Sequence, residues 1–178
     1  MGMVRLLSLL IIIGISFADT KTVAISYFDN TSGLEQYNPL SKGLADMLIT
    51  DLSNVKSIQI VEREKLESLL KEIDLGESKF MDPSTAQKLG NGLGAQYILT
   101  GAFLSIDPMM RIDARLVEVG SGKVIGADEV TGHSNNFFEL EKKLAESLIK
   151  RLNIKESIKN PVKKDIDIDA ILNYSEAI

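Results

Sequence analysis

Hydrophobic and polar positions along this chain change period several times, and each change marks an element. Thr22 to Phe28 (TVAISYF) is an apolar, β-branched run that predicts a buried strand, closed by the turn formers Asp29-Asn30-Thr31-Ser32-Gly33. Behind Pro39, the positions Leu40, Leu44, Met47, Leu48, Asp51 and Leu52 recur at helical spacing, all apolar except Asp51, and predict a helix through Ser53. Ser57 to Val61 predicts a second short strand. Leu66, Leu69, Leu70 and Ile73 mark the inner face of a second helix that Gly76 ends. Asp82-Pro83-Ser84 has the form of a helix start, with Asp82 as N-cap, Pro83 in the first turn and Ala86, Leu89 and Leu93 facing inward. Tyr97 to Ile106 is a long strand broken by Asp107-Pro108. Met110, Ile112, Ala114 and Leu116 then alternate with Arg111, Asp113 and Arg115, the pattern of a strand buried on one face only. Gly120-Ser121-Gly122 predicts a hairpin turn, Val124 to Thr131 the returning strand, and Leu140, Leu144, Leu148 and Leu152 a last helix from Phe137.

The predicted fold class is α/β: a mixed β-sheet in the order β-α-β-α-α-β-β-β-α, packed by helices. The first two crossovers call for parallel pairing, and the last three strands for a meander. The domain is expected over residues 19–153. Residues 154–178 are expected to be a Lys- and Pro-containing linker followed by a short helix through Ile168, Ile171 and Leu172.

The N-terminus has a separate meaning. Arg5 precedes the apolar run Leu6 to Phe17, and Ser16-Phe17-Ala18 places small residues where a signal peptidase reads. Residues 1–18 therefore read as a secretory signal peptide cleaved between Ala18 and Asp19, the run being shorter than the ~20 residues a membrane-spanning helix needs. The expected location is periplasmic or otherwise exported.

Composition narrows the chemistry. The 178 residues include no Cys, no Trp and one His, with a net charge of −5. Absent Cys removes disulfides, thiolate metal sites, Cys nucleophiles and a Cys-linked lipid anchor. One His makes a Ser-His relay or a His-rich metal site improbable, and the negative charge gives no reason to expect nucleic acid as partner. His133 stands at a strand end with no acid beside it in sequence. Gly90-Asn91-Gly92-Leu93-Gly94 has glycines after a helix and before a strand, the reverse of a dinucleotide loop, and reads as a helix C-cap. No catalytic residue, cofactor site or metal site is singled out. The expectation is a protein without enzymatic activity.

Candidate contact residues fall in three places. Asp29, Asn30 and Ser32 lie beyond the carboxyl end of the first strand, where open α/β sheets place ligands. Phe137 and Phe138 form an aromatic pair of which helical spacing turns only one fully inward. Ile168 and Leu172 give the tail helix an apolar face that would enter a partner groove if left uncovered.

Several stretches also resemble a known family. Ile60 to Glu72 (IVEREKLESLLKE) is similar to a "VER…L…LL.E" signature of the CsgG family of curli secretion proteins. Ala86 to Ala102 (AQKLGNGLGAQYILTGA) resembles its "A..LG..LGA.YI..G" segment, and Arg115 to Val124 (RLVEVGSGKV) its strand-turn-strand. Thr22 to Ser32 is similar to the family's opening strand, so the likeness runs in order across residues 22–152. The resemblance implies an exported envelope protein with an α/β domain like the TolB N-terminal region and LpoB, without enzyme activity. It further implies assembly by protein binding in the periplasm or at the outer membrane, with itself or with other envelope proteins. Two departures stand out. This chain has no lipidated Cys. The turn at Asp107-Pro108 and the segments 74–83 and 132–137 are also too short for a membrane hairpin, which needs two strands of about 9–11 residues. A subunit of a curli-type outer-membrane secretion channel, and a protein binding a small polar ligand or a nucleotide, are the alternatives.

Overall fold

The computed structural model describes residues 20–72, 82–158 and 168–177. The expected signal peptide and its Ala18–Asp19 cleavage site, the Gly76 helix end and most of the predicted linker lie outside the described residues. Among the described residues, five strands form one sheet in the order β2-β1-β3-β4-β5. They are β1 Lys21–Asn30, β2 Ile58–Ile60, β3 Tyr97–Ile106, β4 Met109–Glu118 and β5 Lys123–His133. The helices are α1 Leu40–Ser53, α2 Arg63–Glu72, α3 Pro83–Leu93, α4 Phe137–Arg151 and α5 Ile168–Glu176. β1 pairs in parallel with both β2 and β3, while β3-β4-β5 is an antiparallel meander. The mixed α/β class and the predicted element order are what the structure shows.

The chain leaves β1 toward β2 on one side and returns to β3 on the other, so the two crossovers place their helices on opposite faces. On one face, α1 and α4 pack Leu44, Leu48, Leu140, Leu144 and Leu148 against Val23, Leu99, Phe103, Ile112 and Leu116. On the other, α2 and α3 bury Leu66, Ala86, Leu89 and Leu93 against Ala24, Ile98, Val117 and Val119. Past α3 this second face is open over β4 and β5. Arg111 there bridges Asp113 at 2.7 Å and Glu129 at 2.7 Å. The alternation of Met110, Ile112, Ala114 and Leu116 with charged residues is this one-sided burial.

Local chemistry explains the helix ends. The Asp82 carboxylate accepts from Thr85 N at 2.9 Å and Pro83 occupies the first turn of α3, as the sequence predicts. The glycine cluster differs in detail. The helix runs on through Gly90 and Gly92 to Leu93, and Gly94 caps it in the left-handed region at φ +69°. Gly90 is there for contact: a Cβ on it would collide with a Val119 methyl carbon, so the bare backbone lets α3 lie close on β4.

One expectation about the tail needs correction, and one condition attached to it is decided. Residues 154–158 are not free linker. Ile154 and Ile158 pack on the main core, and Glu156 accepts from Lys56 N (2.8 Å), Ser57 N (3.2 Å) and Ser57 Oγ (2.5 Å). The tail helix is not an uncovered face either. Ile171 is buried, and Ile168 and Leu172 pack beside it on the chain's own core, so the condition under which they would enter a partner groove is not met. Gly43 of α1 makes this docking possible, because a Cβ there would overlap Ser175 Oγ.

Candidate functional site

The carboxyl end of β1 lies where strand order reverses, the position at which open α/β sheets hold ligands. A cleft of about 480 Å³ opens there, lined by Tyr27 to Thr31 and by Asn38, Pro39, Ser41 and Lys42. Asp29 and Asn30 are in its wall. The Asn30 amide nitrogen donates to Leu34 O (2.9 Å) and Asn38 Oδ1 (2.8 Å), and its oxygen accepts from Ser32 N (3.0 Å). Ser32 Oγ accepts from Ser105 N at 2.8 Å, and Thr31 Oγ1 donates to Phe103 O at 2.9 Å. Asn30 and Ser32 thus hold the turn from β1 to α1 and tie it to β3. Their polar atoms serve the fold before they serve any ligand.

Beneath this cleft, Tyr27 anchors a polar network whose Arg63 and Glu67 come from the Ile60–Glu72 stretch. Its hydroxyl donates to Glu67 Oε1 at 2.6 Å and accepts from Arg63 Nε at 3.3 Å. Arg63 also pairs with Glu67 at 3.2 Å and with Asp46. Its guanidinium carbon lies 5.4 Å from the Tyr27 ring centroid, and Lys42 Nζ lies 5.6 Å from it. Burial, helped by the bond to Glu67, pushes the Tyr27 hydroxyl up to about 12, and the Tyr27 hydrogen bond holds the Glu67 carboxyl below its ordinary value. The network joins β1, α1 and α2.

The aromatic pair divides as helical spacing requires. Phe137 is wholly buried under the sheet, whereas Phe138 is half-buried, its ring edge-on to Phe137 at 6.5 Å. Phe138 faces a second cavity, of about 420 Å³, between α1, α4 and α5. Met47, Phe138, Ala170, Ile171 and Tyr174 form its apolar walls, with Asp46, Thr50, Asp51, Glu141 and Lys142 on the polar side. Asp51, the one polar member of the inner face of α1, is buried and pairs with Lys142. Glu141 is only 2% exposed, and its Oε1 has no hydrogen-bond partner. Burial, reinforced by the Asp51 charge, pushes the Glu141 carboxyl up to about 8. Glu141 shares a row with Ala145 and Ile149 on α4, and that polar intrusion into an apolar row is the signal the sequence carries.

His133 has a structural role. Its Nδ1 accepts from Asn135 N at 3.2 Å and caps the short 3₁₀ turn before α4. The end of β5, that turn (Ser134–Asn136) and the first residue of α4 fill residues 132–137. Among the described residues, no group of three or more His, Asp or Glu side chains is placed to hold a metal ion, and no helix is long and apolar enough to cross a membrane.

Comparison with solved structures finds the same fold at low identity. The LpoB C-terminal domain from Salmonella enterica aligns with 66% of this chain and 86% of its own, at 15% identity and a TM-score of 0.54. Lipoprotein GNA1162 from Neisseria meningitidis aligns with 76% of this chain and 99% of its own, at 15% identity and a TM-score of 0.54. TolB from Acinetobacter baumannii aligns with 75% of this chain but 28% of its own, at 14% identity and a TM-score of 0.50. Among curated sequences, "Putative adenylate cyclase 3" of Rhizobium meliloti (strain 1021) is 22% identical over 134 residues, 75% of this chain. The chain spans only 21% of that relative's length. The profile of the family described as curli production assembly/transport component CsgG matches residues 13–108, more than half of the 178 residues, and the chain belongs to the CsgG family.

Proposed function

We propose that this chain is an exported, non-catalytic envelope domain that acts by binding other envelope proteins, in the periplasm or at the outer membrane. The observation that carries the reading is membership of a family of curli assembly and transport components. The site chemistry agrees with it. The side chains of Asn30, Thr31 and Ser32 at the β1 end are bonded to the backbone and to Asn38, and Tyr27 is bonded to Glu67, ties that support a fixed binding surface.

Surface remains for such binding at the β3-β4 tip, where Ile106 is 64% and Met109 45% exposed, and along the edge strand β5, where Val124 and Ile125 lie open. Phe138 adds an aromatic edge at the mouth of the second cavity. The binding partner on this reading is another envelope protein or a second copy of the chain. The family description also names transport, which supports a channel subunit as the second reading.

Four measurements test the proposal. Fractionation of native cells with intact-mass analysis should recover a chain lacking residues 1–18 outside the cytoplasm. Mild crosslinking followed by capture should join it to envelope proteins through its β3-β4 tip or β5. Recovery of the unprocessed precursor from cytosol, or substrate turnover by the pure protein, would overturn the reading. Steady conductance steps in planar bilayers would replace it with the channel.

A further inference from the structure

We propose that the end of the sheet at which β1 begins docks on an anionic phospholipid bilayer, with Lys21, Lys56, Lys123 and Lys155 at the headgroup phosphates and Val124 and Ile125 entering the headgroup boundary. This docking rests on the envelope reading only for the presence of a bilayer.

Strand register places these residues together. Lys21 stands opposite Ile58, Tyr97 opposite Val23 and Glu118, and Glu118 opposite Lys123, so the starts of β1, β2, β3 and β5 and the finish of β4 share one end. α4 finishes there with Lys150 and Arg151. A concavity of about 900 Å³ opens on this end, with Lys21, Ile125, Arg151 and Lys155 in its wall. Glu118 and Glu156 share that wall and are tied into the fold: Glu118 accepts from Ser121 Oγ at 2.7 Å and Glu156 from Lys56 N at 2.8 Å. Arg151 is paired with Asp128 at 3.0 Å. Lys123, Lys150 and Lys155 are exposed and form no ion pair among the described residues.

Basic residues in the last turn of a helix answer its dipole, which accounts for Lys150 and Arg151. Lys21, Lys56, Lys123 and Lys155 lie outside the helices and have no such reason. The opposite end is acidic, with Asp29 late in β1, Asp107 in the β3-β4 turn and Glu139 in the first turn of α4. A ten-residue strand such as β3 spans ~34 Å, about four times the ~8 Å over which physiological salt screens charge. A surface facing the lysines therefore meets a positive end, although the whole chain carries −5.

Charge alone suits an acidic protein as well as a bilayer. Val124 and Ile125 decide between them. Both are exposed and follow Lys123 directly, and aliphatic side chains flanked by cations are the composition of interfacial membrane contacts. The β3-β4 tip lies at the other end and stays free for a protein partner.

The test is vesicle flotation of the chain from Asp19 to Ile178, its folding confirmed by a cooperative melt. Phosphatidylcholine vesicles with about 30% phosphatidylglycerol should bind it at least tenfold more strongly than phosphatidylcholine alone, and raising sodium chloride from about 50 to about 300 mM should remove most of that binding. Each lysine near an anionic surface adds about fivefold, so Lys123→Gln with Lys155→Gln should lose about 25-fold. Lys42→Gln with Lys65→Gln, the same charge change in the first turns of α1 and α2, should lose less than threefold. Val124→Ser with Ile125→Ser should weaken binding at least threefold and leave its salt dependence intact. Equal binding to neutral vesicles, no binding to anionic ones, equal losses from the two lysine pairs, or an unaffected Val124 and Ile125 variant would each overturn the proposal. So would polyglutamate binding, lost with Lys123 and Lys155, in a chain that ignores vesicles, which would assign this end to an acidic protein.

Discussion

The clearest quantitative consequence of the fold is the behaviour of Glu141 with pH. Its carboxyl titrates near 8 in the folded chain against an ordinary value of 4.5, because burial disfavours the anion and Asp51 adds its charge nearby. Below 4.5 both folded and unfolded chains carry the proton and the group is neutral in its effect. Between 4.5 and 8 the folded chain holds the proton that the unfolded chain has released, so stability falls as pH rises. Each step of one in pKa corresponds to ~1.4 kcal/mol, which puts the full loss at about 5 kcal/mol, an upper bound for a group this buried. Even about 2 kcal/mol of that shifts the melting temperature of a domain this size by about 4–8 °C. Glu141→Gln removes the titration and leaves the shape. Its melting temperature relative to the parent should therefore climb between pH 5 and pH 9, whatever constant offset the new amide introduces. Differential scanning calorimetry of the two proteins across that range is the measurement. A gap that stays flat with pH would show that Glu141 is solvated or permanently paired, and the reasoning from burial would fail.

Other expectations concern packing. Gly43→Ala should push α5 off α1 through its clash with Ser175, and hydrogen exchange over residues 168–177 should accelerate while the sheet stays protected; adding Ser175→Gly should restore protection. Gly90→Ala gains helix propensity but overpacks Val119, for a net loss of about 1–2 kcal/mol by urea denaturation, and Val119→Ala in the same chain should recover part of it. Tyr27→Phe deletes the hydroxyl shared by Glu67 and Arg63 and should lower stability by about 1 kcal/mol, with no change in far-ultraviolet dichroism.

What the sequence can disclose is local. Tyr97 to Ile106 is bounded by turn chemistry at both ends, and β3 has those limits. Asp82 and Pro83 state a helix start by residue type alone. The element order prescribes parallel pairing for the crossovers and antiparallel pairing for the meander, since hairpin-length links cannot join parallel strands. Residue type makes β1 too short, because Asp29 and Asn30 are turn formers yet pair with Ala102 and Phe103 of β3. It leaves open whether the tail helix has a free face, because periodicity shows that an apolar stripe exists and not what it meets. Gly43 holds the answer, but a glycine inside a helix says only that something comes close. Glu141 shows in the sequence only as an acid in the row of Ala145 and Ile149, because its cost arises only when the fold buries it beside Asp51.

The departures from local rules on the α1 and α4 side of the molecule concentrate in one place. A glycine in mid-helix, an aspartate in the apolar row of α1 and a glutamate in an apolar row of α4 each weaken the element that carries them. Gly90 and Gly92, on the other face, are accounted for by contact with Val119 and Leu69, as Gly43 is by contact with Ser175. Gly43 touches α5, while Asp51 and Glu141 line the cavity that α5 helps to enclose. A core meant only to be stable would replace Asp51, Lys142 and Glu141 together by apolar residues at little cost, since a buried ion pair seldom outdoes well-packed apolar residues. Three unfavourable choices meeting beneath one short helix fit a sequence that keeps this pocket polar, and they are what separates the cavity from an ordinary packing gap.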